Sequence, residues 1–468
     1  MSYYYPQACV ILRATFEDFD DKTADTQDLK QQYTLPILAR RVVVSINDYT
    51  QADKFSCEID YKNFPFDPRC LRSCGVTIHM ENTKSLFDAN GAPVVITPTK
   101  ENSVFIGFAD EETISFDDEH RVVRMEGRDY TALLADLKFP ASKLDLSRPL
   151  DSLIQGFLVA NLTTKDIVVD NRLGEALPSI SSFAPGFTPG ATAKNPKANE
   201  TLWDLFQELA SRAALVMYIE LDKLVITKPR VLYGRQLTKQ FVYGKNVKTL
   251  EFKRRLGRKK GFNIRTTSLN VKDKVTEEAK IPKDATTEWS DEIGLTQEEI
   301  TIPQINADGT KGEDKPAPYI TFSFPNMTKK QLIECGQKIF EEVGRQQIEG
   351  SLTSKEMLVP ERIDDKTYSA DPFDVLKIRT GTPVEIHIDQ GDLKGIQSVT
   401  SQDEKVKFLK MRGYEPTVAK ALAMSLNKFH PRFYTKAVEL TLEEDSGFSF
   451  KLDFINFIEL DNAKVGNV

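Results

Sequence analysis

A chain of 468 residues has room for about three or four domains, and its 40% apolar and 9% aromatic content suffices for ordinary cores. Its net charge of −7, with a pI near 5.5, excludes broad nucleic-acid affinity, which needs a basic surface. No run approaches the roughly 20 apolar residues of a membrane span, and the opening MSYYYPQACVILRATFEDF lacks the cationic start and apolar core of a secretory signal, so folding in a cytoplasm is expected.

In chain order, RRVVVSIND (40–48) and FSCEIDYKN (55–63) read as alternating strands, the second ended by FPFDP (64–68), because proline donates nothing to a ladder. GVTIHM (75–80) follows, then a polar loop with Asn90-Gly91, SVFIGFADEETISF and RVVRMEG. At Gly127 the period changes: Tyr130, Leu133, Leu134 and Leu137 share a helical face, with Pro140 just beyond. We therefore expect residues 1–125 to form a first antiparallel barrel and 126–240 an α+β domain. In the latter, helices are predicted over 149–162 and from Thr201, capped by Asn199 or Thr201, followed by a hairpin turning at Asp222-Lys223.

From Phe241 the pattern is β again, with strands near 247–254 and 262–271 around KRRLGRKK (253–260), six basic residues in eight positions. A nucleic-acid patch and a solvated hairpin tip or charged interface are both open readings there. Residues 273–318 are polar and too long for an ordinary connection, so a partner-binding arm is expected. Thr328 and Gln331 form a capping box for a helix with Leu332, Ile333, Ile339, Phe340 and Val343 on one side, and Gly350 suits its C-terminal end. FDVLKIRTGTPVEIHID predicts two strands meeting at Thr380-Gly381. A helical insertion at about 402–428 precedes the last strands, AVELTLEED and GFSFKLDFINFIEL. A second barrel would thus combine 241–272 with 373–460, and 273–372 would be an arm-and-helix insert. The fold class is α+β, mainly β.

One pattern occurs twice. ISFDDEHRV (114–122) and LTLEEDSGF (440–448) share apolar, hydroxyl, apolar, three acids, two turn residues, apolar; GVTIHM and PVEIHI (383–388) match upstream. Two matched hairpins suggest two related barrels, superposable with Ile114 on Leu440, and a doubled domain would give a trimer pseudo-sixfold symmetry.

Site chemistry is sparse. Cys9, Cys57, Cys70, Cys74 and Cys335 are scattered; Cys57 reads as a core residue, and Cys70 and Cys74 lack the second ligand pair that zinc needs. His79 and His387 occupy matching strand positions, which favours structural roles. Serine-hydrolase, zinc-protease, phosphate-loop and dinucleotide signatures are absent. Asp117, Asp118, Glu443 and Glu444 are the acids a glycosidase would use, but turn carboxylates are ordinarily solvated. No catalytic, cofactor-binding or metal residue is assigned, and no enzymatic activity is expected.

In this order the segments VVVSINDYTQADKFSCEIDY, SVFIGFADE with RVVRMEGRDYTALLADL, TLWDLFQELASRAALVMYIELDKLVITKP, FVYGKNVKTLEFKRRLGRKKGFNIRTTSLNV, FDVLKIRTGTPVEIHI and GFSFKLDFINFIEL resemble the baseplate or tail hub proteins of phages, the family of the late control D protein and of the N-terminal part of type VI spike proteins. The resemblance covers nearly the whole chain. It implies two tube-like barrels in a ring-shaped homotrimer that adapts a six-fold tail tube, or distal tail ring, to a three-fold spike. The channel it encloses would pass tape-measure protein and DNA without sequence-specific binding. It further implies a place in the virion tail baseplate after synthesis in the host bacterial cytoplasm, contact with baseplate wedge proteins, and, since the chain ends at Val468 without an OB-fold or β-helix, a spike on a separate chain. No membrane binding or cofactor is implied. Two alternatives stand: the hub of a type VI or extracellular contractile injection system, and a carbohydrate-binding tail or receptor-binding β protein, in which Trp203 or Trp289 would have to serve as an exposed platform.

Overall fold

Alternation of apolar residues sets the first strands of the protein, seen in a computed structural model. It describes residues 5–16, 31–67, 71–137, 147–161, 167–179, 201–227, 238–254, 262–270, 275–304, 312–355, 361–368, 375–388, 402–419 and 432–456, apart from short stretches within them. Strand β1 (Tyr5–Phe16) turns Ala8, Val10, Leu12 and Ala14 inward. After the short β2 (Gln31–Tyr33) and β3 (Ile37–Leu38), β4 (Arg41–Ile46) buries Val42, Val44 and Ile46, and β5 (Lys54–Asp60) buries Phe55, Cys57 and Ile59. With β6 (Leu71–Thr83), β7 (Ser103–Ala109), β8 (Ser115–Asp117) and β9 (Val122–Asp129) they form a first set ordered β4–β5–β9–β7–β6–β1, antiparallel throughout.

Helix α1 (Tyr130–Asp136) starts where the period changes, its first turn capped by the Asp129 carboxyl, which accepts from the Thr131 N–H at 2.9 Å. The α+β unit follows: α2 (Leu150–Asn161), β10 (Val168–Asn171), α3 (Leu202–Arg212) and the hairpin β11 (Val216–Glu220) to β12 (Lys223–Thr227). Thr201 caps α3, accepting from the Asp204 N–H at 3.1 Å; Asn199 lies outside the described residues. The unit has its own core, which includes Leu150, Ile154, Trp203, Phe206 and Leu209.

The second set contains β13 (Thr238–Tyr243) and β14 (Thr249–Arg254), but the next strand departs from expectation. Strand β15 (Asn263–Asn270) pairs with β16 (Val275–Ile281) and, in parallel, with a later strand, in a separate three-stranded sheet. That sheet, with α4 (Thr287–Ile293), β17 (Thr301–Ile302), β18 (Lys315–Pro316), β19 (Tyr319–Ser323) and α5 (Lys329–Arg345), makes a small folded unit of the stretch expected to be an arm. The described part of 273–318 is thus ordered against its own subunit. Trp289 packs edge-on to Phe340 at 5.7 Å beside Phe262 and Ile281, and its indole N–H donates to Glu341 at 2.8 Å. The arm's few apolar residues are divided among short elements, each too brief to show a period; β15 and α5 supply the rest of the core. The Thr328–Gln331 capping box is present: the Thr328 N–H donates to Gln331 Oε1 at 2.8 Å.

Gly350 does not end a helix but lies inside β20 (Ile348–Ser354). After β21 (Glu361–Ile363) and β22 (Lys366–Tyr368), Val375–Lys377 is a 3-10 turn where a strand was expected, because Val375, Leu376 and Ile378 all turn into the core. Then come β23 (Pro383–Ile388), α6 (Gln402–Met411) in the predicted helical insertion, β24 (Arg432–Glu443) and β25 (Gly447–Asn456). Residues 420–428 of that insertion lie outside the described residues.

The chain is mainly β, as expected, but the two strand sets are not separate. Among the described residues, seventeen strands pair into one sheet, and no closed barrel is present. The reason is a direct pairing of β4 with β24 that joins the sets edge to edge over a shared apolar core. The repeated motifs are both hairpins, yet their strands have different neighbours. Among the described residues β8 is a three-residue strand paired to β9 alone, whereas β24 is central, between β25 on one edge and β4 and β23 on the other. Ile114 precedes β8, while Leu440 lies between Val44 and Phe450.

Candidate functional site, a seam and a rim shared by two strand sets

Strand β24 has twelve residues and two partners on one edge. Its first residues, Arg432 to Tyr434, pair with β23, and Val438 to Glu443 pair with β4. A bulge between Thr435 and Ala437 bends the strand where it leaves one partner for the other. Thr380 clasps this bend: its hydroxyl lies 2.7 Å from the Asn47 carbonyl and 3.1 Å from that of Lys436, so one side chain spans both sets. Across the seam Val438 faces Ile46, Leu440 faces Val44 and Leu442 faces Val42, all buried. Each such burial contributes about 1.5–3 kcal/mol, far above the ~0–1 kcal/mol of a surface ion pair. Apolar burial therefore holds the seam, and the charges above it fix register.

Those charges alternate in sign across five strands. Glu443 on β24 meets Arg41 on β4 at 2.8 Å; Arg41 reaches Glu58 on β5 at 3.9 Å; Glu58 meets Arg124 on β9 at 3.0 Å; Arg124 meets Asp117 on β8 at 3.0 Å. Asp117 also holds His120 Nδ1 at 2.9 Å, and Glu444 meets Arg40 at 3.1 Å. Cross-strand neighbours of opposite charge are the favourable arrangement on a sheet face. Asp117 is held below the ordinary carboxylate range, chiefly by the His120 N–H and ring; Glu443 is held down by the Ser446 hydroxyl and then by Arg41. A glycosidase acid needs the opposite shift. Both acidic turns thus lie on one rim of one sheet, engaged with strand arginines rather than simply solvated. The exposed rings of Tyr61 and Phe116 meet beside them, tilted at 48° with centroids 4.5 Å apart.

The other residues singled out from the sequence are dispersed. His79 is buried and bonded to Asn102 at 3.0 Å; burial lowers its pKa, so it is a neutral structural residue. Cys9, Cys57, Cys74 and Cys335 are buried thiols, and burial pushes Cys9 and Cys74 up to about 12; Cys70 lies outside the described residues. Lys253 and Arg254 end β14, with Lys253 3.3 Å from Glu251; residues 255–260 of the basic cluster lie outside the described residues. Among the described residues no three His, Cys, Asp or Glu side chains gather as a metal would require. Trp203 and Trp289 are both buried, so neither offers a glycan platform. Sequence reasoning put Thr380 in a turn but gave no role to it, to Asn47 or to Arg379, because turns carry no periodic signal.

No protein-family model matches the sequence, and no curated protein does. Among solved structures, a tail protein from Neisseria meningitidis aligns over 96% of this chain and 96% of its own, with 13% identity and a TM-score of 0.48. The chain is similar to phage tail proteins. A 43 kDa tail protein of prophage MuSo2 from Shewanella oneidensis aligns over 97% of this chain and 100% of its own, at 14% identity and TM-score 0.45. A chain of the Francisella PdpA–VgrG complex aligns over 96% of this chain and 58% of its own, at 10% identity and TM-score 0.44.

Proposed function

We propose that the protein is a structural hub of a phage tail baseplate. It acts as a homotrimer that joins the six-fold tail tube or distal tail ring to a separate three-fold spike, around a channel for tape-measure protein and DNA. The observation that carries this reading is the seam. Each subunit presents two strand sets side by side on one sheet, with a common buried layer beneath and a polar face above. Three subunits would then offer six strand sets, the number a six-fold ring requires. The interlocked charges of the rim suit contact over a broad surface rather than catalysis in a pocket. Tail tube, spike, tape-measure and wedge proteins are the partners of this reading, and the virion tail is its location.

Native mass spectrometry of the full chain, or imaging of the assembled tail, tests it. A homotrimer on the tail axis is expected; a monomer, a dimer or a true hexamer of this chain at that position would overturn the proposal.

A further inference from the structure

The two strand sets and the α+β unit meet at one polar joint. The turn after β4 carries Asn47, whose N–H donates to the Asp53 carboxyl at 2.8 Å. The Asp53 carbonyl in turn accepts from the Asp129 N–H at 3.0 Å, and the Asp129 carboxyl caps α1. Both carboxyls line a cavity of about 30 Å³, closed by Arg379 and Thr380 from the second set and by Tyr218, Glu220 and Leu221 from the α+β unit. Thr380 ties the same turn through the Asn47 carbonyl.

The charge balance of this joint is uneven. Asp48, Asp53, Asp129 and Glu220 face it, as do the phenols of Tyr49 and Tyr218; the facing cation is Arg379, with Arg128 behind Asp129 and Arg172 paired to Glu220 at 2.7 Å. Arg379 directs hydrogen bonds to the carbonyls of Leu376 at 2.6 Å, Ile378 at 3.0 Å and Val104 at 3.5 Å. Two adjacent carboxylates in so small a cavity cannot both be ionised cheaply.

We propose that Asp53 and Asp129 form a proton-operated latch at the joint of the two strand sets and the α+β unit. The joint stays shut while one carboxyl keeps its proton, and it loosens when both are ionised. The direction of titration agrees: burial raises both groups, Asp129 to about 7, and the charge of Asp129 raises Asp53 further. A carboxyl near 3.9 in the unfolded chain and higher in the folded one contributes stability that is complete below about pH 4 and is lost as pH rises through about 7. The latch belongs to the single chain and does not rest on the hub reading.

Hydrogen-exchange mass spectrometry on the full chain, corrected for intrinsic exchange, tests it at pH 5.5 and 8.5. In the wild type, protection of residues 47–53 and 379–382 is expected to fall at least tenfold at the higher pH. Asp129→Asn keeps the helix cap and should hold its protection at pH 8.5. Asp53→Asn, which leaves that cap untouched, gives the same readout if Asp129→Asn does not fold. Equal protection of the wild type at both pH values, or a wild-type loss of protection in the variant that folds, would overturn the latch.

Discussion

Gly127→Ala should be among the most damaging single-methyl changes in the first strand set. Gly127 lies on β9 opposite Phe55 of β5 and Ala109 of β7. A Cβ there would stand 1.9 Å from the Phe108 carbonyl oxygen, 2.7 Å from the Phe55 ring and 2.8 Å from the Ala109 Cα. Carbon and carbonyl oxygen ordinarily approach no closer than about 3.3 Å, so the backbone must part by more than about 1 Å. Overpacking costs roughly 1–3 kcal/mol when side chains can yield. Here the first obstacle is backbone, and the crossing of β7 with β9 has only three residue pairs to absorb a shift, so a loss of about 3 kcal/mol is expected. Gly156→Ala on α2 is the control. Among the described residues nothing lies within 4 Å of its new methyl, and helix propensity alone should stabilise by about 0.8–1 kcal/mol. Urea unfolding of the two variants beside the wild type reads both signs. If Gly127→Ala unfolds within 0.5 kcal/mol of the wild type (roughly the scatter of an ordinary surface change), the reasoning from close strand approach fails.

Two further outcomes concern the seam. Thr380→Val keeps the shape of the side chain but leaves the Asn47 and Lys436 carbonyls without its hydroxyl, and should cost about 1–3 kcal/mol in urea unfolding, with faster amide exchange at Thr435; an unchanged midpoint would show that the clasp is idle. Glu443→Gln should cost under about 1 kcal/mol at neutral pH, and less in high salt. Because Glu443 is held below its ordinary value, its contribution is present above about pH 4.3 and lost as pH falls, so the variant should have a flatter acid limb than the wild type between pH 6 and 3. Equal acid slopes would mean that the Ser446 and Arg41 contacts do not form in solution.

Local chemistry was legible in the sequence, and long-range pairing was not. The helix start at Tyr130, the Thr328–Gln331 box and the hairpin expected at Asp222-Lys223 each carry their signal within a few residues; the structure has the first two, and the hairpin with its turn one residue earlier, at Leu221-Asp222. The pairing of Arg41 with Glu443 joins residues about four hundred positions apart, and no periodicity marks which strand edge will meet which. The apolar residues around Trp289 fail for a related reason: alone they are too few to read as a core, and Phe262 and Phe340 complete them from outside the segment. Asp53 was invisible because an aspartate in a polar turn reads as solvated; only packing of the other two units over the turn buries it.

The repeated acidic motif takes on a different meaning in the folded chain. Its two copies do not mark equivalent strands, but both end on the same rim, where Asp117 and Glu443 terminate the two ends of one alternating ladder through Arg124, Glu58 and Arg41. An acid at each end is what that ladder requires, since the strands between supply two arginines and one glutamate, and a like charge at either end would repel. The ladder and the buried seam beneath it bind the two strand sets into one body. Under the hub reading this locates the adjustment between six-fold and three-fold neighbours. A subunit whose two sets share a continuous hydrogen-bonded sheet cannot absorb the mismatch by swinging one set against the other. The adjustment would instead fall at the contacts between subunits and at the joints between the sheet and the other units, among them the polar joint at Asn47, Asp53 and Arg379 against the α+β unit.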